Sequence, residues 1–321
     1  MDLSPQVHMK NQHKNFPVII AGCGRSGTTF LKSLIDAHPE IFIPSESLYI
    51  IDYLRSENHW LKPVLKRVYW KEPQLKAWYK GHRFEFENFK EAIELTHIIQ
   101  AQAEKKTIWG QKTPRFIRYK KILDQAFPSS KWILIKRDPR SVVASMLESK
   151  THVYSIGLAC KRWNIDNKYL LESQAEDNVF VISYEDLLKE PNHIIKNIFD
   201  FLNIQSYSIE FLVQRAKTRE FNGSKFQKIS IKNGFEPDVQ KIDNWKSKLS
   251  STQINAVEFY TKEIMTELGY IRSISAPKKP CFTNSYSLKE ILILLEYIRK
   301  WPQYLYITFV RKFLLRLNIK K

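Results

Sequence analysis

The segment Gly22-Cys23-Gly24-Arg25-Ser26-Gly27-Thr28-Thr29 places two glycines five residues apart and closes on a hydroxyl, the spacing of a loop that wraps a phosphate. In loops that hold nucleoside triphosphates, the residue before that hydroxyl is lysine, whose ammonium bridges the β- and γ-phosphates. Here that position is Thr28, and a different cation, Arg25, stands three residues earlier. Backbone N–H groups around Gly24 and Gly27, the hydroxyls of Ser26, Thr28 and Thr29, and a helix N-terminus still suit an anion. The expected ligand is a 5′-linked phosphate group, with Arg25 meeting the charge that moves in place of lysine and magnesium.

A second group, Arg137-Asp138-Pro139-Arg140 followed by Ser145, has the chemistry of a separate phosphate clamp. Asp138 suits a helix N-cap and Pro139 the first helical turn. Arg137 then sits at a strand end, and Ser145 lies about two helical turns further on. A guanidinium fork bonds two phosphate oxygens and a serine donates to a third. One phosphate at the 5′ end of a nucleotide and another elsewhere describe 3′-phosphoadenosine-5′-phosphosulfate.

These residues need strand ends and helix starts to hold them. Phe16 to Ala21, Trp132 to Ile135 and Val179 to Ile182 read as short apolar runs of buried strand. Helical spacing fills Thr29 to Ile35, Pro114 to Ala126, Ser141 to Ser149, Ser155 to Gln174, Ile194 to Leu202 and Ser250 to Leu268. The alternation predicts a P-loop-type three-layer α/β/α fold with a central parallel sheet, its ligands at the carboxyl ends of the strands. The stretch from Trp60 to Phe86, rich in aromatics and broken by Pro63 and Pro73, reads as an insertion or lid; packing is its simplest use, an acceptor platform the alternative.

With Arg25 to Thr29, Asp36 to Glu40 and Lys131 to Met146 as they stand, the chain resembles the sulfotransferase family, and within it the protein-tyrosine sulfotransferases and their bacterial relatives. The resemblance runs from about Pro17 to Tyr270. It implies a sulfuryl transferase that uses 3′-phosphoadenosine-5′-phosphosulfate as co-substrate, without a metal, on a hydroxyl or amine acceptor. It also implies roles: Glu46 as general base, Lys112 beside the transferred group assisting Arg25, and Tyr184 against the nucleotide. His38 is the rival base, because other family members use histidine, although its place at a helix exit reads more simply as a cap. Lys232-Asn233-Gly234 and Lys241 to Trp245 fall where the family adds cofactor contacts. Leu48 stands where the tyrosine-modifying branch has an arginine for acidic peptides, which points to a small-molecule, glycan or lipid acceptor.

The chain has 321 residues, 51 Lys+Arg against 33 Asp+Glu, and a formal charge of +18. A 43% hydrophobic share excludes a disordered polycation. The three cysteines, Cys23, Cys160 and Cys281, lie too far apart to suggest a disulfide framework or a zinc site. Met1 to Asn15 has no apolar run to act as a leader, so the expected location is the cytoplasm. A sulfotransferase domain over 15–272 and a basic helical extension over 278–321 are expected. The extension holds ten cations and two carboxylates. On a helical wheel Tyr306, Ile307, Phe309, Val310, Phe313, Leu314 and Leu317 share one face, with Arg311, Lys312 and Arg316 away from it. That face has two destinations, the domain itself or an anionic membrane surface met as a peripheral protein, and both stay open at this level. The rival classes are a P-loop kinase or NTPase, disfavoured by Thr28, and a non-enzymatic polyanion or membrane binder. Nucleic acid is not expected, since no recognition module accompanies the charge.

Overall fold

The structure, a computed structural model, describes residues 16–79, 83–149, 155–218, 237–273 and 302–317. Lys232-Asn233-Gly234, Cys281 and the Pro277–Pro280 break lie outside the described residues, as do the side chains of Trp78 and Tyr79. Five strands, β1 (Val18–Gly22), β2 (Ile41–Phe42), β3 (Ile108–Lys112), β4 (Lys131–Lys136) and β5 (Val179–Ser183), form one sheet in the order β2-β3-β1-β4-β5. Every pairing is parallel. The three strands expected from their apolar runs all form; β2, only two residues long, is too short to leave a sequence pattern.

Successive side chains of a strand point to opposite faces, and here both faces are apolar. Ile19, Ala21, Trp132 and Leu134 enter one buried cluster, whereas Val18, Ile20, Ile133 and Ile135 enter another. Such a sheet must be covered twice. The second cluster is roofed by α1 (Thr28–Asp36), and by α9 (Tyr184–Lys189), α10 (Pro191–Leu202) and α11 (Ile209–Thr218). The first is roofed by α2 (Tyr49–Leu54), α3 (Lys62–Tyr69), α5 (Phe89–Ala103), α6 (Lys120–Ala126), α7 (Pro139–Leu147) and α8 (Ile156–Ser173). A 3-10 helix, Pro114–Tyr119, leads into α6. Beyond α11 come α12 (Gln240–Asp243), α13 (Trp245–Lys248) and α14 (Ser251–Glu267); the last starts at a Ser250–Gln253 capping box. The outcome is the expected three-layer α/β/α fold.

Helix α4 (Pro73–Tyr79) and α3 occupy the aromatic stretch. Tyr69 lies edge-on to Tyr53 at 5.1 Å and to Phe86 at 5.6 Å, and all three are buried. Their packing explains these rings; Trp60 remains 67% exposed.

The last described helix, α15 (Pro302–Arg316), packs on α2 and α3. The helical wheel sets Arg311 away from the docking face, and the fold overturns that. Arg311 is 3% exposed; its Nε donates to Asp52 Oδ2 at 2.9 Å and an Nη to Glu72. The Tyr53 hydroxyl donates to the same Glu72 oxygen at 2.9 Å. Two carboxylates offset the several kcal/mol that desolvating a guanidinium costs, and their position decides how α15 is rotated about its axis.

Candidate active site

β1 ends on Gly22, with φ +147°, and an added Cβ there would stand 2.4 Å from the Ile135 carbonyl oxygen of β4. The loop then passes through Arg25 at φ +73°, a left-handed backbone that a side chain adopts at about 1–2 kcal/mol. Gly27, at φ +92°, precedes α1 without a side-chain cap, and the first turn carries no acidic residue. The leading N–H groups of that helix therefore have no intrahelical acceptor. Ser26 is fully buried, and its Oγ has no hydrogen-bond partner among the described residues. Leaving a buried hydroxyl unsatisfied costs roughly 1–3 kcal/mol, and an anion seated in the loop would satisfy it.

The two sequence motifs meet in space. Arg25 Nε donates to Ser145 Oγ at 3.0 Å, across 120 residues of chain. Ser145 thus bonds Arg25 here, and Arg137 makes other contacts. Arg137 donates to the carbonyl oxygens of Arg25 at 3.1 Å and Lys241 at 3.2 Å. Its guanidinium lies 4.1 Å over the Tyr184 ring, and its Nε has no acceptor among the described residues. Tyr184 in turn fills the space beside the loop: a Cβ on Gly27 would sit 2.3 Å from its Cδ2. Burial raises the Tyr184 pKa, against the opposing pull of Arg137, so its ring is a neutral floor. Arg25 keeps an exposed surface, yet desolvation and then the charge of Arg137 lower its pKa.

Asp138 caps α7 as expected, accepting from Arg140 N at 2.8 Å. It also holds the Arg140 guanidinium, which bonds Glu258 on α14 at 2.9 Å. Trp163 Nε1 donates to the Arg137 carbonyl at 3.0 Å. The segment that presents Arg137 is therefore fixed from α8 and α14 at once.

Lys112 ends β3, in register with Ile20 of β1. Its side chain is fully buried; Nζ forms an ion pair with Glu46 and lies 3.3 Å from Thr29 Oγ1. The lysine missing from position 28 thus arrives from the neighbouring strand. Glu46 remains 46% exposed, so its carboxylate stays open to solvent while one oxygen holds Lys112. Helix α4 steadies it through Gln74 Nε2, which donates to the Glu46 carbonyl at 2.7 Å.

Behind Glu46 lies a relay that sequence reasoning missed. Ser47 N donates to Thr113 Oγ1 at 3.0 Å, and Gln111 Nε2 donates to Ser47 Oγ at 3.0 Å. Gln111 Nε2 also lies 2.6 Å from His97 Nε2, while His97 Nδ1 lies 2.6 Å from the Ile93 carbonyl. A carbonyl only accepts, so Nδ1 carries the proton and Nε2 accepts from Gln111. Burial pushes the His97 pKa down to about 4, in keeping with that neutral ring. Gln111 and Thr113 flank Lys112 and were findable by that proximity; His97 and Gln74 carry no local signal. Arg162 of α8 was also missed: a Cβ on Gly24 would lie 2.7 Å from its guanidinium, which brings another cation to the loop.

His38 takes a structural place. Nε2 lies 2.9 Å from the Gln205 carbonyl, Nδ1 accepts from Glu40 N at 3.0 Å, and the ring packs on Phe199 and Tyr207. Cys23, inside the loop, has its thiol pKa raised by burial and then by Asp166, which suits packing and not nucleophilic chemistry. Among the described residues, no three His, Cys, Asp or Glu side chains gather to hold a metal.

The sulfotransferase family model matches residues 17–208. A putative protein-tyrosine sulfotransferase of Caenorhabditis briggsae is 24% identical over 279 residues, 83% of this chain and 93% of that one. Protein-tyrosine sulfotransferase 1 of Danio rerio is 28% identical over 200 residues, 60% of this chain but only 54% of that relative's length. Among solved structures, the sulfotransferase domain from the curacin biosynthetic pathway superposes with a TM-score of 0.61 at 19% identity, covering 81% of this chain and 99% of that domain; at that identity the likeness is one of fold.

Proposed function

The chain belongs to the sulfotransferase family and is an enzyme of sulfuryl transfer; from that premise we propose that its donor is 3′-phosphoadenosine-5′-phosphosulfate and its acceptor a hydroxyl on a small molecule, glycan or lipid. The unsatisfied Ser26 hydroxyl, the uncapped start of α1 and the adjoining Arg25 and Arg137 fit a ligand with two separate phosphates. When bound, the donor supplies an activated sulfuryl group on its 5′-phosphate. Gly24, Ser26, Gly27, Thr28 and Thr29 hold the 5′ end; Arg137 and Ser145 hold the 3′-phosphate, with Tyr184 as the floor. Glu46 takes the proton of the acceptor. Lys112 and Arg25 stabilise the negative charge that grows on the departing side, as fixed cations in a partly dry site do best.

The observation that carries this reading is the Lys112 ammonium between Glu46 and Thr29, because it joins a base to the phosphate loop. Leu48, half-buried at the start of α2 and packed on the core, supports an acceptor other than an acidic peptide. Titration calorimetry with 3′-phosphoadenosine-5′-phosphate is the test. Binding should persist in EDTA and weaken about 10- to 100-fold in Arg137→Ala, the loss of one charge-assisted contact. Tight binding of magnesium ATP with no preference for a 3′-phosphate would refute the assignment. A screen of candidate acceptors with labelled sulfate donor would then identify the hydroxyl.

A further inference from the structure

We propose that α15 docks this protein on an anionic phospholipid bilayer through an aromatic face that the fold leaves in water. The inward side of α15 is occupied: Arg311 is bonded to Asp52 and Glu72, Ile307 is buried, and Leu314 and Leu315 pack on the core. This pins the rotation of the helix. Tyr306, Phe309, Phe313 and Leu317 are then 66%, 68%, 52% and 47% exposed. Their spacing of three, four and four residues makes one stripe. A charged residue is turned inward and four large apolar ones outward, the reverse of what water alone favours.

Charge selects the occupant. With Arg311 held by Asp52 and Glu72, the segment 302–317 keeps two outward cations and no carboxylate of its own, and its neighbour in the fold, 60–71, has four cations and no carboxylate. Lys312, Arg316, Arg67 and Lys71 are exposed. Trp60 and Val64, at the start of the α3 region against which α15 packs, add 67% and 39% exposed apolar side chains. Aromatic side chains among lysines and arginines suit the headgroup boundary of a bilayer with anionic lipids. A second copy of the chain would instead bring like charges together. Among the described residues no helix is long and apolar enough to cross a membrane, so α15 is assigned to lie in the interface plane.

Cosedimentation of the full chain with vesicles tests this, comparing phosphatidylcholine alone with phosphatidylcholine plus phosphatidylglycerol. The mixed vesicles should bind about tenfold more strongly than the neutral ones, and Phe309→Ser/Phe313→Ser should lower that binding by about tenfold. Lys312→Glu/Arg316→Glu, which keeps the aromatic stripe, should abolish the preference for anionic vesicles. Binding of 3′-phosphoadenosine-5′-phosphate should be the same in all three proteins, which separates this test from that of the catalytic reading. The proposal is overturned if the wild type ignores both vesicles or if neither double variant changes its partition. It is equally overturned if the serine variant converts a wild-type dimer to a monomer while vesicle binding is absent.

Discussion

Lys112 and Glu46 are 66 residues apart in the chain and in direct contact in the fold. A buried ammonium needs such a partner, and the half-exposed carboxylate gains a fixed orientation from it. The pair gives each side chain a separable task. Glu46→Gln keeps the shape and removes the proton acceptor, so the turnover rate should fall about 10²- to 10⁴-fold. The affinity for 3′-phosphoadenosine-5′-phosphate should stay within about threefold, because the role proposed for Glu46 is toward the acceptor and its side chain bonds Lys112, not the loop. Steady-state kinetics beside calorimetry reads both quantities; a variant that turns over at the wild-type rate would remove Glu46 from the chemistry. His38, which the family resemblance made a rival, is held by the backbone at Gln205 and Glu40.

The loop between β1 and α1 works as a unit because two of its residues hold left-handed backbone and because Tyr184 is packed against it. Gly27→Ala should show both effects: strain at φ +92°, and a Cβ 2.3 Å from the Tyr184 ring. Gly269, also left-handed at φ +82° but with nothing within 4 Å of a Cβ, is the matched control. Alanine at Gly269 should cost about 1–2 kcal/mol, the backbone contribution alone. Alanine at Gly27 should cost more and should also abolish nucleotide binding. Chemical denaturation of both variants measures the difference; equal losses would mean that Tyr184 does not constrain the loop.

Across the whole molecule, the relay behind Glu46 makes stability depend on pH. His97 has a folded-state pKa of about 4, against about 6.5 in an unfolded chain. Between those values the unfolded state binds more protons, so stability falls as pH drops through that window and is unaffected above it. The loss attributable to His97 should reach about 3 kcal/mol near pH 4. Denaturant unfolding at pH 7 and 4.5 should show a shallower decline in His97→Gln than in the wild type. The same decline in both would rule His97 out as its source. The charge excess also changes meaning at this scale. Lys32, Lys106, Lys112, Lys120, Arg140 and Arg311 are all under 9% exposed and joined to carboxylates. These cations belong to the interior, so part of the charge excess is neutralised inside the fold and does not face solvent.

By itself the sequence determined what short stretches of chain decide. The glycine spacing of the phosphate loop, the Asp138–Pro139 helix start and the apolar runs of β1, β4 and β5 each follow from backbone conformation or strand period over a few residues. They were enough for the three-layer fold and for singling out the two motifs that the fold brings together. Tertiary structure alone decided which side chains share a site. Parallel register set Lys112 beside the loop that lacks a lysine, the approach of α7 set Ser145 on Arg25, and Asp52 and Glu72 turned Arg311 inward and the α15 aromatics outward. The reason is physical: strand register and helix rotation minimise the free energy of contacts between residues remote in sequence, and no local pattern encodes the partner.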